Sequence, residues 1–178
     1  SASDDALSQL RMTLAQRSAD AQNAVRKVKD LRLAASKSNT EAASAARSLQ
    51  AAESNFAKAE ADVKAVDQAL EKAAPEKVAQ LAEAKAQALS RLNAVQAQLD
   101  TAKAQAQSKA DAAAQAQADV KTADAALSLA LDASEEARLN LSPVSVFISR
   151  KTMRLYVRKG NLPVYESYVM ISDPSKPI

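Results

Sequence analysis

Side chains able to do chemistry are sparse in this sequence, and they fall into two groups. The first is a set of adjacent carboxylates, Asp4-Asp5 and Glu135-Glu136. Acid–base catalysis by two carboxyls needs both aimed at one site, and neighbours on a helix point in different directions. These pairs read as dipole compensation at a helix start and as a solvated face. The second group is basic: Arg150, Lys151, Arg154, Arg158 and Lys159, with Tyr156 among them. Interleaved cations and an aromatic ring suit contact with an anionic polymer or an acidic protein surface, so these six residues form the candidate interaction site. The same alternation is also the ordinary wet face of a strand, and no nucleic-acid partner is expected.

What is missing narrows the chemistry further. The 178 residues include no Cys and no His. That removes a thiol nucleophile, a histidine base, disulfides and the usual zinc ligands. There is a single Gly and no Gly-rich phosphate loop. No catalytic residue, metal site or cofactor is expected.

The elements that carry these groups differ in composition on either side of Ser142-Pro143. Residues 1–141 hold 18 Lys/Arg against 19 Asp/Glu, a net of −1, while residues 142–178 hold 6 against 2, a net of +4. Four of the five aromatic residues (Phe147, Tyr156, Tyr165 and Tyr168) also lie after this point. A domain boundary is placed there. No apolar run is long enough to span a bilayer, so no transmembrane segment is expected. The start, Ser1-Ala2-Ser3-Asp4-Asp5, suits a mature N-terminus left by cleavage at small residues.

Residues 3–141 follow a period of 3.5. One series runs Leu7, Leu14, Ala21, Val28, Ala35, Ala42, Leu49, Phe56, Val63, Leu70, and its companion runs from Leu10 through Arg17 and Ala24 to Ala73. A second stretch repeats the pattern from Val78 to Leu141. A heptad repeat held this long predicts a left-handed coiled coil. Ala has the highest helix propensity, and Gln, Glu, Lys and Arg occupy the outer positions. The register breaks once, at residues 74–77, where Pro75 is suited to the first position of a new helix. A hairpin follows, with each arm reaching about 105 Å at about 1.5 Å per residue. Pairing positions whose numbers sum to 151 sets seam against seam, as in Leu70/Leu81, Phe56/Val95, Ala52/Leu99 and Val28/Ala123. The rows Ala45/Ala106, Ala42/Lys109, Ser38/Ala113 and Ala35/Ala116 are thin and bury little. Arg17, Lys85 and Lys109 interrupt the seam, and their heads are expected to reach water past apolar stems.

After Ser142-Pro143 the period drops to 2. Val144, Val146 and Ile148 share one face of a strand. A turn is placed at Arg150-Lys151-Thr152, followed by Met153, Leu155 and Val157 on one face of a second strand. Lys159-Gly160-Asn161 is a turn signal, and a third run spans Val164 to Ile171. The predicted fold is mostly α: a long antiparallel two-helix coiled-coil hairpin over residues 3–141, then a small β-meander over residues 142–178.

The segment Val146-Phe147-Ile148-Ser149-Arg150-Lys151-Thr152-Met153-Arg154-Leu155-Tyr156-Val157-Arg158-Lys159-Gly160-Asn161 resembles the opening of an L,D-transpeptidase catalytic domain of the YkuD type. Such domains begin with a strand, a polar turn, an R/K-L-Y-V strand, a Gly-containing turn and a third strand, which Leu162 to Ile171 fits. Asp173-Pro174-Ser175-Lys176-Pro177-Ile178 looks like the loop before that family's Gly-Thr region. The resemblance covers about 35 residues. Its catalytic Cys and His have no counterpart here, so no catalytic residue carries over, and the chain looks like the front of such a protein. The resemblance implies a periplasmic or cell-envelope location after signal-peptide removal, with peptidoglycan nearby. The expected role is a spacer and interaction element whose β tail joins a second copy or an envelope protein. The alternatives are the front part of an active peptidoglycan L,D-transpeptidase and a periplasmic adaptor hairpin.

Overall fold

The computed structural model describes the backbone of residues 2–170 and the side chains of residues 4–170. Two helices, α1 (Ala2–Glu71) and α2 (Pro75–Leu141), pack against each other as an antiparallel hairpin. Three strands follow: β1 (Val144–Ser149), β2 (Arg154–Lys159) and β3 (Leu162–Tyr168). The chain divides into two compact units, Lys29–Thr122 and Ser1–Val28 with Ala123–Ile178.

The unit Lys29–Thr122 contains the hairpin turn. Helix α1 ends where Lys72 and Ala73 N–H bond back three residues, to the Ala69 and Leu70 carbonyls at 3.3 and 3.2 Å. This tight closure uses carbonyls that would otherwise be orphaned at a helix end. Pro75 then takes the first helical position of α2, where no N–H is needed. Glu76 in the first turn faces the positive end of the helix dipole. The buried side chains of this unit are Ala35, Ala59, Leu99, Ala102 and Ala113. All belong to the heptad series. Because most are Ala, each row buries little area, and much of the helical stability comes from Ala propensity itself.

The register is marked by charge. Lys85 Nζ lies 2.6 Å from Asp67, Lys109 Nζ lies 2.6 Å from Glu41, and Arg91 lies 3.8 Å from Asp62. Each pair falls within two residues of the 151-sum register. Lys85 and Lys109 do extend from the seam to its rim, but their heads end on carboxylates of the opposite helix. The near-helix pair Lys37/Glu41 is looser, at 4.0 Å.

In the other unit the buried residues are Ala21, Val28, Ala123 and Ala137, again all seam positions. Ser18 and Ser134 hydroxyls meet across the helices at 3.3 Å. Leu7 and Leu10, assigned to the seam by period, stay 40 and 37% exposed, since the last turn of a hairpin has neighbours on one side only. Helix α2 stops at Ser142-Pro143: Ser142 N–H bonds to Leu139 C=O at 3.0 Å and its hydroxyl to Arg138 C=O at 3.2 Å.

The sheet has the order β1-β2-β3, all antiparallel. Val146 opposes Val157, Ile148 opposes Leu155, and Val157 opposes Tyr165, so these side chains share a face, as the period of 2 requires. Two details depart from the sequence reading. The first turn takes four residues, 150–153, with Met153 at φ 53° rather than in the strand. Pairing Ser149 with Arg154 forces that length, and the Thr152 N–H bonds to Ser149 Oγ at 3.3 Å. The third strand is also displaced: it begins earlier, at Leu162, because Gly160-Asn161 alone closes the second turn, and it ends at Tyr168, so that Val169 and Met170 of the expected run lie outside it. Gly160 has φ 59°, and a Cβ there would lie 3.2 Å from both Cβ and Oγ of Ser142. Residues 171–178, including Asp173 to Ile178, lie outside the described residues.

Candidate functional site

The six basic and aromatic candidates lie on or beside β2, and its pleat separates them. Arg154, Tyr156 and Arg158 alternate onto one face with Phe147, Glu166 and Tyr168, their cross-strand neighbours. Lys159 falls on the opposite face, and its Nζ donates to Asn140 Oδ1 at the end of α2, 3.1 Å away. Arg150 and Lys151 occupy the turn between β1 and β2. The structure therefore does not gather the six into one cradle.

Arg154 is already engaged. Its guanidinium donates to Glu166 Oε1 and, at 2.5 Å, to the Tyr168 hydroxyl, with its carbon 4.3 Å from the Tyr168 ring centroid. These contacts join β2 to β3. The Tyr168 hydroxyl and then the Glu166 carboxylate hold Arg154 more firmly protonated than a free guanidinium. Tyr156 stacks on Phe147 across β1, with centroids 6.1 Å apart and planes at 27°, and its hydroxyl lies 3.3 Å from Thr152 Oγ1. Arg158 and Lys151 are exposed and make no ion pair among the described residues. Of the candidates on this face, Arg158 is the cation left to meet an anionic partner.

The opposite face holds what charge patterning did not single out. Val144 and Val146 are 63% exposed, Tyr165 57% and Leu162 49%. Among the described residues this apolar face is left largely open. The sheet is tied to the end of α2 by Lys159–Asn140 and, just after it, by the Gly160 N–H on the Pro143 carbonyl.

Among the described residues no three His, Cys, Asp or Glu groups converge as metal ligands, and no polar side-chain atom is buried without a partner. Glu135 sits below the usual carboxylate range, but the cause is its bidentate contact with Arg138 three residues on, at 2.6 and 2.8 Å. That is a helix-surface pair at the last turn of α2. The grooves beside the Ala-rich rows are open; one is lined by Arg32, Asn39, Arg47 and Gln117. Among the described residues no helix is long and apolar enough to cross a membrane.

The period of 2 already placed Val144, Val146, Ile148, Leu155 and Val157 on one apolar face; the Arg154–Glu166–Tyr168 group was open to sequence reasoning only once the strand register was known. The signal is the cross-strand pairing itself: Arg154 opposes Tyr168, and Glu166 opposes Tyr156. Comparison with protein-family models, curated proteins and solved structures finds no match to this chain.

Proposed function

We propose that this chain is a spacer and interaction element, with the coiled-coil hairpin carrying a small sheet whose uncovered apolar face receives a partner. The observation that carries this reading is the contrast between the two parts. The hairpin turns its apolar seam inward and keeps Ala21, Val28 and Leu99 buried. The sheet leaves Val144, Val146, Leu162 and Tyr165 about half exposed or more. A three-stranded sheet needs its apolar face packed to be stable in water. A second copy, another protein or further chain can each supply that cover.

The resemblance of the β1–β3 segment to the front of L,D-transpeptidase domains supports placing this role in a bacterial cell envelope, near peptidoglycan. Arg158 and Lys151 then face the carboxylates of the polymer's stem peptides. A second reading, the front of an active peptidoglycan transpeptidase, draws on the strand order: strand, four-residue turn, Arg-Leu-Tyr-Val strand, Gly turn, strand. On that reading the nucleophile and base come from outside this sequence.

Hydrogen exchange on the full chain tests the proposal, alone and with soluble peptidoglycan fragments. Seam amides of α1 and α2 stay protected throughout. Strand amides exchange fast in dilute chain and slow down on assembly or on adding fragments, with no crosslinked muropeptide formed. Protected strands in an isolated monomer, or muropeptide turnover by this chain, would overturn it.

A further inference from the structure

Resting on that interaction reading, we propose that the sheet's partner along one edge is a second copy of this chain, with β1 pairing antiparallel to the second copy's β1 about a two-fold axis at Val146. The sheet has two edges, and they are unlike. The β3 edge is blunted. Pro163 brings no N–H, and the ladder shifts between Val157 and Arg158. The β1 edge has none of these devices. Its sequence Val-Ser-Val-Phe-Ile-Ser holds no charge, Pro or Gly, and Val144, Val146 and Phe147 are 62–63% exposed.

The backbone phase of β1 follows from one bond. Gly160 N–H donates to Pro143 C=O at 3.0 Å. In an antiparallel ladder, bonded and non-bonded pairs alternate. Ser145, Phe147 and Ser149 thus bond toward β2, and Val144, Val146 and Ile148 turn their N–H and C=O out of the edge. These outward groups form an open template for a strand.

A second β1 fits that template in a defined register. Apolar faces coincide only when paired residues have the same parity. Centring on Val146 sets Val146 against its own copy and Val144 against Ile148. Every outward N–H and C=O then finds a partner. Ser145 falls opposite Phe147, and no like charges meet, so the strand is complementary to itself. The two-fold closes the open edge and leaves the two blunted β3 edges outside, which stops growth at a dimer. The joined sheet has one continuous apolar stripe.

The chain has no native cysteine, so a single engineered one reports the contact. In the full-length chain, Val146→Cys is oxidised in dilute solution beside Val164→Cys, an exposed position on the β3 edge. Hydrogen-bonded antiparallel partners have Cα atoms about 5.5 Å apart, inside the ~4.4–6.8 Å range of disulfides. The expected result is a covalent dimer from Val146→Cys, little from Val164→Cys, and a sedimenting dimer of the unmodified chain. Equal linking at both positions, or a dimer without the 146 link, overturns the register and the proposal. A monomer whose strand amides exchange fast overturns self-pairing and leaves the interaction reading in place, because another cover is then required. A monomer with protected strands overturns both.

Discussion

Lys109 Nζ sits 2.6 Å from Glu41 Oε2, joining residues 68 apart in sequence within the thinnest stretch of the hairpin seam. Around it the rows are built from Ala42, Ala45, Ala106 and Ala113, which bury little apolar area. Both charged side chains are 40–48% exposed, so solvent screens the pair and its part in stability is small. Its part in register is larger, because a slip of one turn would take Lys109 away from Glu41 and leave Glu41 only the looser Lys37 on its own helix. The hydrogen bond from Lys109, and then its charge, hold Glu41 below the usual carboxylate range. A carboxylate depressed in the folded state contributes stability that is complete above its unfolded pKa. That contribution fades as pH falls through the lower folded value. Glu41→Gln is therefore expected to lower the melting temperature slightly at pH 7 and to have no effect well below the carboxylate range. Amides near Ala45 and Ala106 should show the change first in hydrogen exchange. Equal loss at both pH values would contradict the assignment.

The seam's large residues should dominate stability out of proportion to their number. Leu99 is 4% exposed, and Leu33, outside the seam, is 63% exposed. Leu99→Ala leaves a cavity that a helix pair held by Ala rows closes only in part. A loss of roughly 2–4 kcal/mol is expected from large-to-small core substitutions. Leu33→Ala should stay within about 0.5 kcal/mol of the parent, because Ala is the better helix former and little area is lost. Urea unfolding followed by far-UV circular dichroism measures both. Similar losses at the two sites would mean that the seam is not where the heptad places it.

The helical part was legible because its signal is redundant. Every buried side chain named above, from Ala21 to Ala137, lies on the two heptad series, and Pro75 with a one-residue break located the turn. The pairing of the arms was also legible: registers seven residues apart all keep both seams facing, and the short link between Glu71 and Pro75 selects the one near a sum of 151. Partners of individual charges were less so. Lys85 and Lys109 were read as reaching water, and Asp67 and Glu41 intercept them because carboxylates at the rim of the opposite helix come within reach in three dimensions. Met153 illustrates a different limit. Its apolar side chain fits the strand pattern, and the turn length set by Ser149 pairing with Arg154 excludes it. The six basic and aromatic residues formed a cluster in sequence, yet the pleat sends Lys159 to one face and Arg154 and Arg158 to the other. Charge density along a strand does not survive as charge density on a surface.

Arg154 and Arg158 make the final contrast, because they share a face of β2 and differ in what they touch. Arg154 bonds to Glu166 and to the Tyr168 hydroxyl and lies over the Tyr168 ring, so it ties β3 to β2. A guanidinium does this with a planar fork and a face that stacks, and an ammonium offers neither. Arg154→Lys should therefore loosen β3 nearly as much as Arg154→Ala, seen as faster exchange at the Ser167 and Val169 amides, which bond toward β2, and a changed tyrosine fluorescence. Arg158 is exposed beside the shift in the ladder and makes no ion pair among the described residues. Arg158→Ala should leave strand exchange and fluorescence unchanged while weakening retention on an anionic matrix, an effect that added salt removes. If Arg154→Lys preserved the β3 signals, the contact would be one of charge alone. If Arg158→Ala disturbed the strands, that residue would belong to the fold rather than to the surface offered to a partner.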